Sequence, residues 1–149
     1  MGATDCSFTV KGKDREALTK NFWKTVKQAK HERGHGGYTG SAAEFSQIVW
    51  TTKVFNLYED MQAFITNLND KDVAYMVQMK VFKDSPTIER WLKEARELNQ
   101  MVWRSNDEKF KAQTKKTIEK LYAKIKAARL RKAEASKKTE WVACGWVSE

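Results

Sequence analysis

A strongly basic segment near the end of the chain, Glu108 to Lys138, constrains the fold more than any other feature. It carries 12 lysine and arginine residues against three acidic ones, whereas the rest of the chain carries 16 of each, so this segment accounts for the net charge of +9. Within it, Ile118, Leu121 and Ile125 recur at three- and four-residue spacing, which predicts an amphipathic helix with one apolar face. We expect residues 105–138 to form a basic helical arm.

The charge on this predicted helix points to a polyanionic partner. Solvated helix faces usually mix both signs, because like charges four residues apart repel by about 0.2–0.5 kcal/mol per pair. Nucleic acid offsets such repulsion through its phosphates. We therefore predict a non-enzymatic protein that binds RNA, DNA or a ribonucleoprotein and needs no cofactor. The predicted nucleic-acid-binding residues are Lys115, Lys116, Lys120, Lys124, Arg129, Arg131 and Lys132.

Other partners fit the same helix. Its apolar face, through Ile118, Leu121 and Ile125, could self-associate, and its charge could dock on an acidic protein. The alternative function is therefore a protein-binding inhibitor or host-takeover (anti-defence) factor, which could act as a homodimer. A membrane surface is the runner-up partner for the charge. Deep insertion is disfavoured, because the apolar face carries no Trp or Phe beyond Phe110. Elsewhere, the six tryptophans could stack on bases if they are exposed on the sheet, although such residues more often lie in the core. They are Trp23, Trp50, Trp91, Trp103, Trp141 and Trp146, of which Trp50 and Trp141 are the two to check for exposure.

Both histidines lie in the stretch 31–40, which begins with the pattern H-E-x-x-H. On a continuous helix, His31 and His35 would share a zinc ion, with Glu32 as the general base. Gly34 and the glycines after it favour the end of a helix instead. The chain has no third histidine to complete the ligand set. We predict no catalytic residue and no metal site, and a small zinc hydrolase is the least favoured function.

The same stretch contains a candidate ligand loop. Glycine-rich turns can bring backbone N–H groups close to an anion, although a plain turn between helix and strand is the simpler interpretation. The candidate loop residues are His35, Gly36, Gly37, Tyr38 and Gly40.

Three short motifs carry a resemblance to other proteins: the opening MGATD, the loop GHGGYTGS and the final W-x-x-C-G-W. In these the chain resembles a set of small uncharacterised proteins of bacteriophages and bacteria, which share a G-H-x-x-Y-x-G-[ST] loop and a C-terminal Gly-Trp strand. The resemblance implies a phage or mobile-element accessory factor. It implies no activity for any named residue.

Hydrophobic periodicity and capping residues predict an α+β fold. Strands are expected at 7–11, 38–45, 48–55, 73–82 and 141–147, with helices beginning near Asp14, Asn56 and Pro86. The first six elements follow the β-α-β-β-α-β order of a split βαβ, ferredoxin-like fold. A long basic helix or a helical pair and a terminal strand come next. We expect a single domain over 1–149, with an antiparallel or mixed sheet and helices on one face.

The remaining composition indicates a cytoplasmic protein. No apolar run approaches the ~20 residues of a membrane helix, so we expect no transmembrane segment. The opening residues lack the basic and apolar regions of a signal peptide. The two cysteines, Cys6 and Cys144, are expected to be reduced thiols. A disulfide between them would require the two terminal segments to be neighbours.

Overall fold

The computed structural model describes residues 2–33 and 40–148, and the chain divides into two compact units. A sheet unit is drawn from Met1–Val81 and Lys137–Glu149, and a hairpin unit is Phe82–Ser136. The predicted α+β class is confirmed, whereas the single domain stays a prediction. The elements are β1 (Ala3–Val10), α1 (Arg15–Arg33), a 3₁₀ helix (Ala42–Glu44), β2 (Gln47–Phe55), α2 (Tyr58–Thr66), β3 (Val73–Lys80), α3 (Pro86–Arg104), α4 (Glu108–Ala135) and β4 (Thr139–Ser148).

The strands of the sheet unit form a mixed sheet in the order β1-β4-β3-β2. β4 pairs antiparallel with both β1 and β3, while β2 and β3 run parallel. A parallel pair needs a crossover connection, and α2 supplies it. The terminal strand β4 therefore lies inside the sheet, so its backbone is paired on both sides.

The helices α1 and α2 cover opposite faces of the sheet, which corrects the expectation of helices on one face. Phe22 of α1 packs in one cluster with Met76 of β3. Met61 of α2 packs in a second cluster with Val77, the next residue of β3. Successive strand residues point to opposite faces, and β3 is apolar on both. Such a strand needs cover on both sides, as strands of parallel pairs usually do.

The strand predicted at 38–45 does not form in its described part. The chain there makes the 3₁₀ helix Ala42–Glu44. Ser41 caps it, with its Oγ accepting a hydrogen bond from the Ala43 N–H at 3.3 Å. Phe45 then inserts into the α1-side cluster and is only 1% exposed. The serine hydroxyl gives the backbone a local hydrogen-bond partner that competes with strand pairing. The residue pattern from which the strand was predicted contains no information about this competition.

Capping residues explain where the helices of the sheet unit begin. Asp14 caps α1 as predicted, because its Oδ1 accepts a hydrogen bond from the Ala17 N–H at 2.8 Å. The N-cap of α2 is Leu57, one residue after the predicted Asn56. There the Leu57 N–H donates to Asp60 Oδ2 at 3.3 Å. No described helix has the length and apolar character needed to cross a membrane.

The two cysteines lie on neighbouring strands but on opposite faces of the sheet. Cys6 of β1 is paired with Gly145, and Cys144 of β4 is paired with Ser7. This offset of one residue turns the two side chains to opposite faces, so Cys6 joins the α1-side cluster and Cys144 the α2-side cluster. Both thiols are free. Burial raises the pKa of Cys144 to about 12, so the thiol is protonated at neutral pH.

Candidate nucleic-acid interface

The hairpin unit presents the basic helix, and capping residues decide where its two helices begin. Ser85 caps α3, with its Oγ accepting a hydrogen bond from the Ile88 N–H at 3.3 Å. Asp107 caps α4, with its Oδ1 accepting from the Lys109 N–H at 3.0 Å. Residues 105–107 are not helical. Of the two predicted arrangements, a long helix or a helical pair, the structure therefore shows the pair.

A bidentate ion pair joins the two ends of the hairpin unit. Arg129 Nε donates to Asp84 Oδ1 at 3.0 Å, and Arg129 Nη2 donates to Asp84 Oδ2 at 2.8 Å. Asp84 precedes α3 and Arg129 lies near the end of α4, so the two helices run antiparallel. The hydrogen bonds from Arg129 lower the pKa of Asp84, although partial burial opposes the shift. Arg129, a predicted nucleic-acid ligand, thus has a structural partner.

The apolar face of α4 is buried, as its periodicity predicts. Ile118, Leu121 and Ile125 are 6%, 7% and 2% exposed, respectively. α4 packs against α3, which is likewise amphipathic with Ile88 and Ala95 buried. The burial of these three α4 side chains within the chain leaves little apolar area for a second copy. Self-association through them, one of the predicted partner modes, therefore lacks an accessible surface.

The other face of α4 carries a row of five exposed cations, which we call the cationic row. Its members are spaced seven, four, four and seven residues apart, so at 3.6 residues per turn they lie within about 80° of one another and span about 33 Å. In the part of the chain that the structure describes, none of them makes an ion pair. The cationic row consists of Lys109, Lys116, Lys120, Lys124 and Arg131.

The structure sorts the seven predicted nucleic-acid ligands into two groups. Four belong to the cationic row: Lys116, Lys120, Lys124 and Arg131. The other three do not, because Lys115 lies on another flank of α4, Arg129 is ion-paired, and Lys132 is half-buried. Lys109 is the row member that the prediction missed. Its seven-residue spacing from Lys116 was the available signal.

A second, shorter basic row lies on α1. Lys20, Lys24 and Lys27 are all exposed, on the side opposite the buried Leu18, Phe22 and Val26. They span about 10 Å, a third of the length of the cationic row. The charge count had missed this row, because acidic residues elsewhere in residues 1–107 cancel it. We call these three residues the α1 row.

The aromatic side chains divide differently from the prediction. Trp50 and Trp141, the candidates for base stacking, are half-buried and contact each other edge to face at 5.5 Å between ring centroids. The Arg15 guanidinium covers Trp50 at 4.5 Å. Trp103, in the last turn of α3, is instead 90% exposed. Helical spacing does not predict this exposure, because Trp103 lies about 20° from Leu92 around the axis of α3, and Leu92 is half-buried.

The candidate ligand loop and the histidine pair are only partly covered by the structure. Of these residues, the ones outside the described ranges are His35, Gly36, Gly37 and Tyr38. Gly40 has a positive φ of 64°, and its N–H donates to the Ser148 carbonyl at 2.8 Å. This left-handed conformation favours glycine, so here the glycine serves a turn.

The described half of the H-E-x-x-H pattern lies at the end of α1. His31 and Glu32 are both exposed, and Glu32 Oε1 accepts a hydrogen bond from Gln28 Nε2 at 3.1 Å. Across residues 2–33 and 40–148, no three His, Cys, Asp or Glu side chains are grouped closely enough to hold a metal ion. The described residues alone therefore provide no zinc site.

Known proteins give no guide to the function of this interface. No family model matches the chain, and no curated protein or solved structure matches it either. The resemblance to small phage and bacterial proteins stays a prediction. The charge, exposure and spacing of the cationic row are therefore the features that indicate a function.

Proposed function

We propose that the protein binds nucleic acid, free or within a ribonucleoprotein, through the cationic row, and that it catalyses no reaction. The observation that carries this proposal is the row itself: five exposed cations on one face of α4 that make no ion pair with any other described residue. The row is about 33 Å long, close to the ~34 Å of one turn of duplex DNA. Because the duplex backbone winds around its axis, a straight row of this length could contact phosphates at separate points along one turn.

The energetics of α4 favour a bound polyanion. Lys116, Lys120 and Lys124 follow one another at four-residue intervals, so each pair repels by about 0.2–0.5 kcal/mol. In the described residues, no acidic side chain pairs with them. Phosphates relieve this repulsion, and binding releases the counterions condensed on the nucleic acid. Both effects strengthen as more row members are engaged.

The chemistry of the row favours contact with phosphates over the reading of bases. Four of its five members are lysines, whose ammonium groups act as flexible point charges rather than planar, bidentate donors. Phosphate contacts fix the position of a protein on the backbone and carry no sequence information. We therefore propose binding with low sequence specificity, as expected of an accessory factor.

The experiment compares two triple charge reversals that change the net charge by the same amount. The first, Lys116→Glu/Lys120→Glu/Lys124→Glu, disrupts the cationic row. The second, Lys20→Glu/Lys24→Glu/Lys27→Glu, disrupts the α1 row and is the matched control. Fluorescence anisotropy with labelled duplex DNA and RNA measures the affinity of each variant, and circular dichroism checks its fold. All six positions are exposed, so the folds should persist.

The proposal predicts that reversal in the cationic row weakens binding by about 100-fold or more. Reversal in the α1 row should weaken it by only about threefold, through the change in overall charge. Equal losses in the two variants would show that net charge, not the row, determines binding. Absence of binding by the wild type at low salt would overturn the proposal. It would also favour the alternative, a protein-binding inhibitor that docks this face on an acidic surface.

A further inference from the structure

Among the residues that the structure describes, the most exposed aromatic side chain is Trp103, at the tip of the hairpin unit. The side chain is 90% exposed and has no aromatic-ring contact within the described residues. Single exposed apolar side chains are common on protein surfaces. For this tryptophan, however, its position at an ordered helix end and its neighbouring side chains suit a specific partner.

Trp103 lies in the last turn of α3, and hydrogen bonds define both this helix end and the start of α4. The Ser105 N–H donates to the Val102 carbonyl at 3.3 Å and closes the last turn of α3. Asp107 then starts α4 by accepting hydrogen bonds from the N–H groups of Lys109 and Phe110. Since only residues 105–107 separate the two helices, Trp103 lies at the same end of the hairpin unit as Lys109, the first member of the cationic row.

The helix face that holds Trp103 is polar. Gln100 and Arg96 precede it by three and seven residues, so all three share one face of α3. Both polar side chains are exposed, and Arg96 Nε donates to the Leu92 carbonyl at 3.4 Å. The Gln100 amide therefore lies one turn from the indole ring, whereas Arg96 lies about 10 Å from it along the helix. A ring for stacking beside donors and acceptors suits a nucleobase whose edge is free.

We infer that Trp103 stacks on an unpaired base of a nucleic acid whose phosphates contact the cationic row. This inference rests on the proposed function and extends it, because it names the preferred substrate as single-stranded nucleic acid or an unpaired loop. A base inside a duplex has its faces covered by its neighbours, so it offers Trp103 no stacking surface. The cationic row supplies affinity for both forms, and Trp103 adds affinity for the unpaired form.

The test measures binding of the full-length protein to single-stranded oligouridylate and to a blunt RNA duplex with the same number of phosphates. Trp103→Ala should weaken oligouridylate binding by about 10-fold and duplex binding by less than about twofold, because its charge is unchanged. Trp103→Phe, which keeps a ring, should retain part of the affinity. Tyr122→Ala is the matched control, since Tyr122 is 45% exposed on a different face of α4 from the row.

The outcomes separate this inference from the proposed function. Salt-dependent binding of both ligands that Trp103→Ala leaves unchanged, or weakens equally, would overturn the inference and leave the proposed function standing. Absence of salt-dependent binding to either ligand would overturn both. In a third outcome, Trp103→Ala weakens binding to phosphatidylserine vesicles but leaves oligouridylate binding unchanged. This result would assign the side chain to a membrane surface and overturn the inference.

Discussion

Among the described helices, α1 and α4 are the two most basic, yet their exposed lysines form rows of very different length. α1 carries six basic and two acidic residues, and α4 carries ten and three. Each buries one apolar stripe and exposes lysines on the opposite side. The α1 row, however, spans about 10 Å and the cationic row about 33 Å. Length therefore distinguishes the two helices more clearly than charge density does.

This difference matters because binding to a polyanion accumulates with the number of phosphates contacted. Each neutralised phosphate of duplex DNA contributes about −0.9 to the slope of log K against log salt. Five aligned cations can engage several phosphates at once, and three can engage few. A basic helix is thus a candidate interface when its cations form a long row, and an ordinary solvated helix when they do not.

The largest expected effects concern the apolar stripes, in which the two helices should behave alike. Phe22→Ala in α1 removes a fully buried ring and should lower the free energy of unfolding by about 3–5 kcal/mol. Ile125→Ala in α4 removes a side chain that is 2% exposed and should lower it by about 2–5 kcal/mol. Urea denaturation measures both losses.

Exposed lysines provide the control for these core variants. Lys24→Ala in α1 and Lys120→Ala in α4 should each change the free energy of unfolding by less than about 0.5 kcal/mol. A loss below about 1 kcal/mol for either core variant would contradict the packing described for that helix. A comparable loss for Lys120→Ala would mean that the cationic row serves the fold.

The smallest expected effect concerns the ion pair between Arg129 of α4 and Asp84. Asp84→Asn should lower the free energy of unfolding by about 1 kcal/mol at neutral pH, because both side chains of the pair are partly exposed and solvent screens them. The folded-state pKa of Asp84 is lowered, so its contribution is present above the ordinary aspartate pKa of about 3.9. It is lost as the pH falls through the folded-state value.

Thermal unfolding of the wild type and Asp84→Asn, followed from neutral to strongly acidic pH, checks this prediction. The difference in stability should be constant near neutrality and should shrink once the pH falls below about 4. A difference that stayed the same in strong acid would exclude the ion pair as its source.

Local patterns in the sequence predicted much of the fold. The apolar spacing of Ile118, Leu121 and Ile125 correctly identified the buried face of α4, and Ser85-Pro86 marked the start of α3. The helices on both faces of the sheet were not predicted. β3 reads as a continuous apolar run, which fits a strand buried on both sides and equally a buried helix segment, so periodicity alone does not place its neighbours.

The candidate site was predicted only in part, because charge counts ignore direction. Lys116 and Arg129 contribute equally to a count, yet Lys116 is exposed in the cationic row and Arg129 is bonded to Asp84 across 45 residues of sequence. Such a long-range pair leaves no local pattern. Trp103 was considered only as one of six tryptophans that could stack on bases, and its spacing did not single it out, because it lies about 20° from the half-buried Leu92 around the axis of α3.

The most direct test of the central claim is the salt dependence of duplex DNA binding by the wild type and the two triple charge reversals. If all three reversed lysines contact phosphates, reversal in the cationic row should reduce the magnitude of the slope of log K against log salt by about 2.7. Reversal in the α1 row should leave the slope nearly unchanged. Equal reductions in the two variants, or a larger one for the α1 row, would contradict the account.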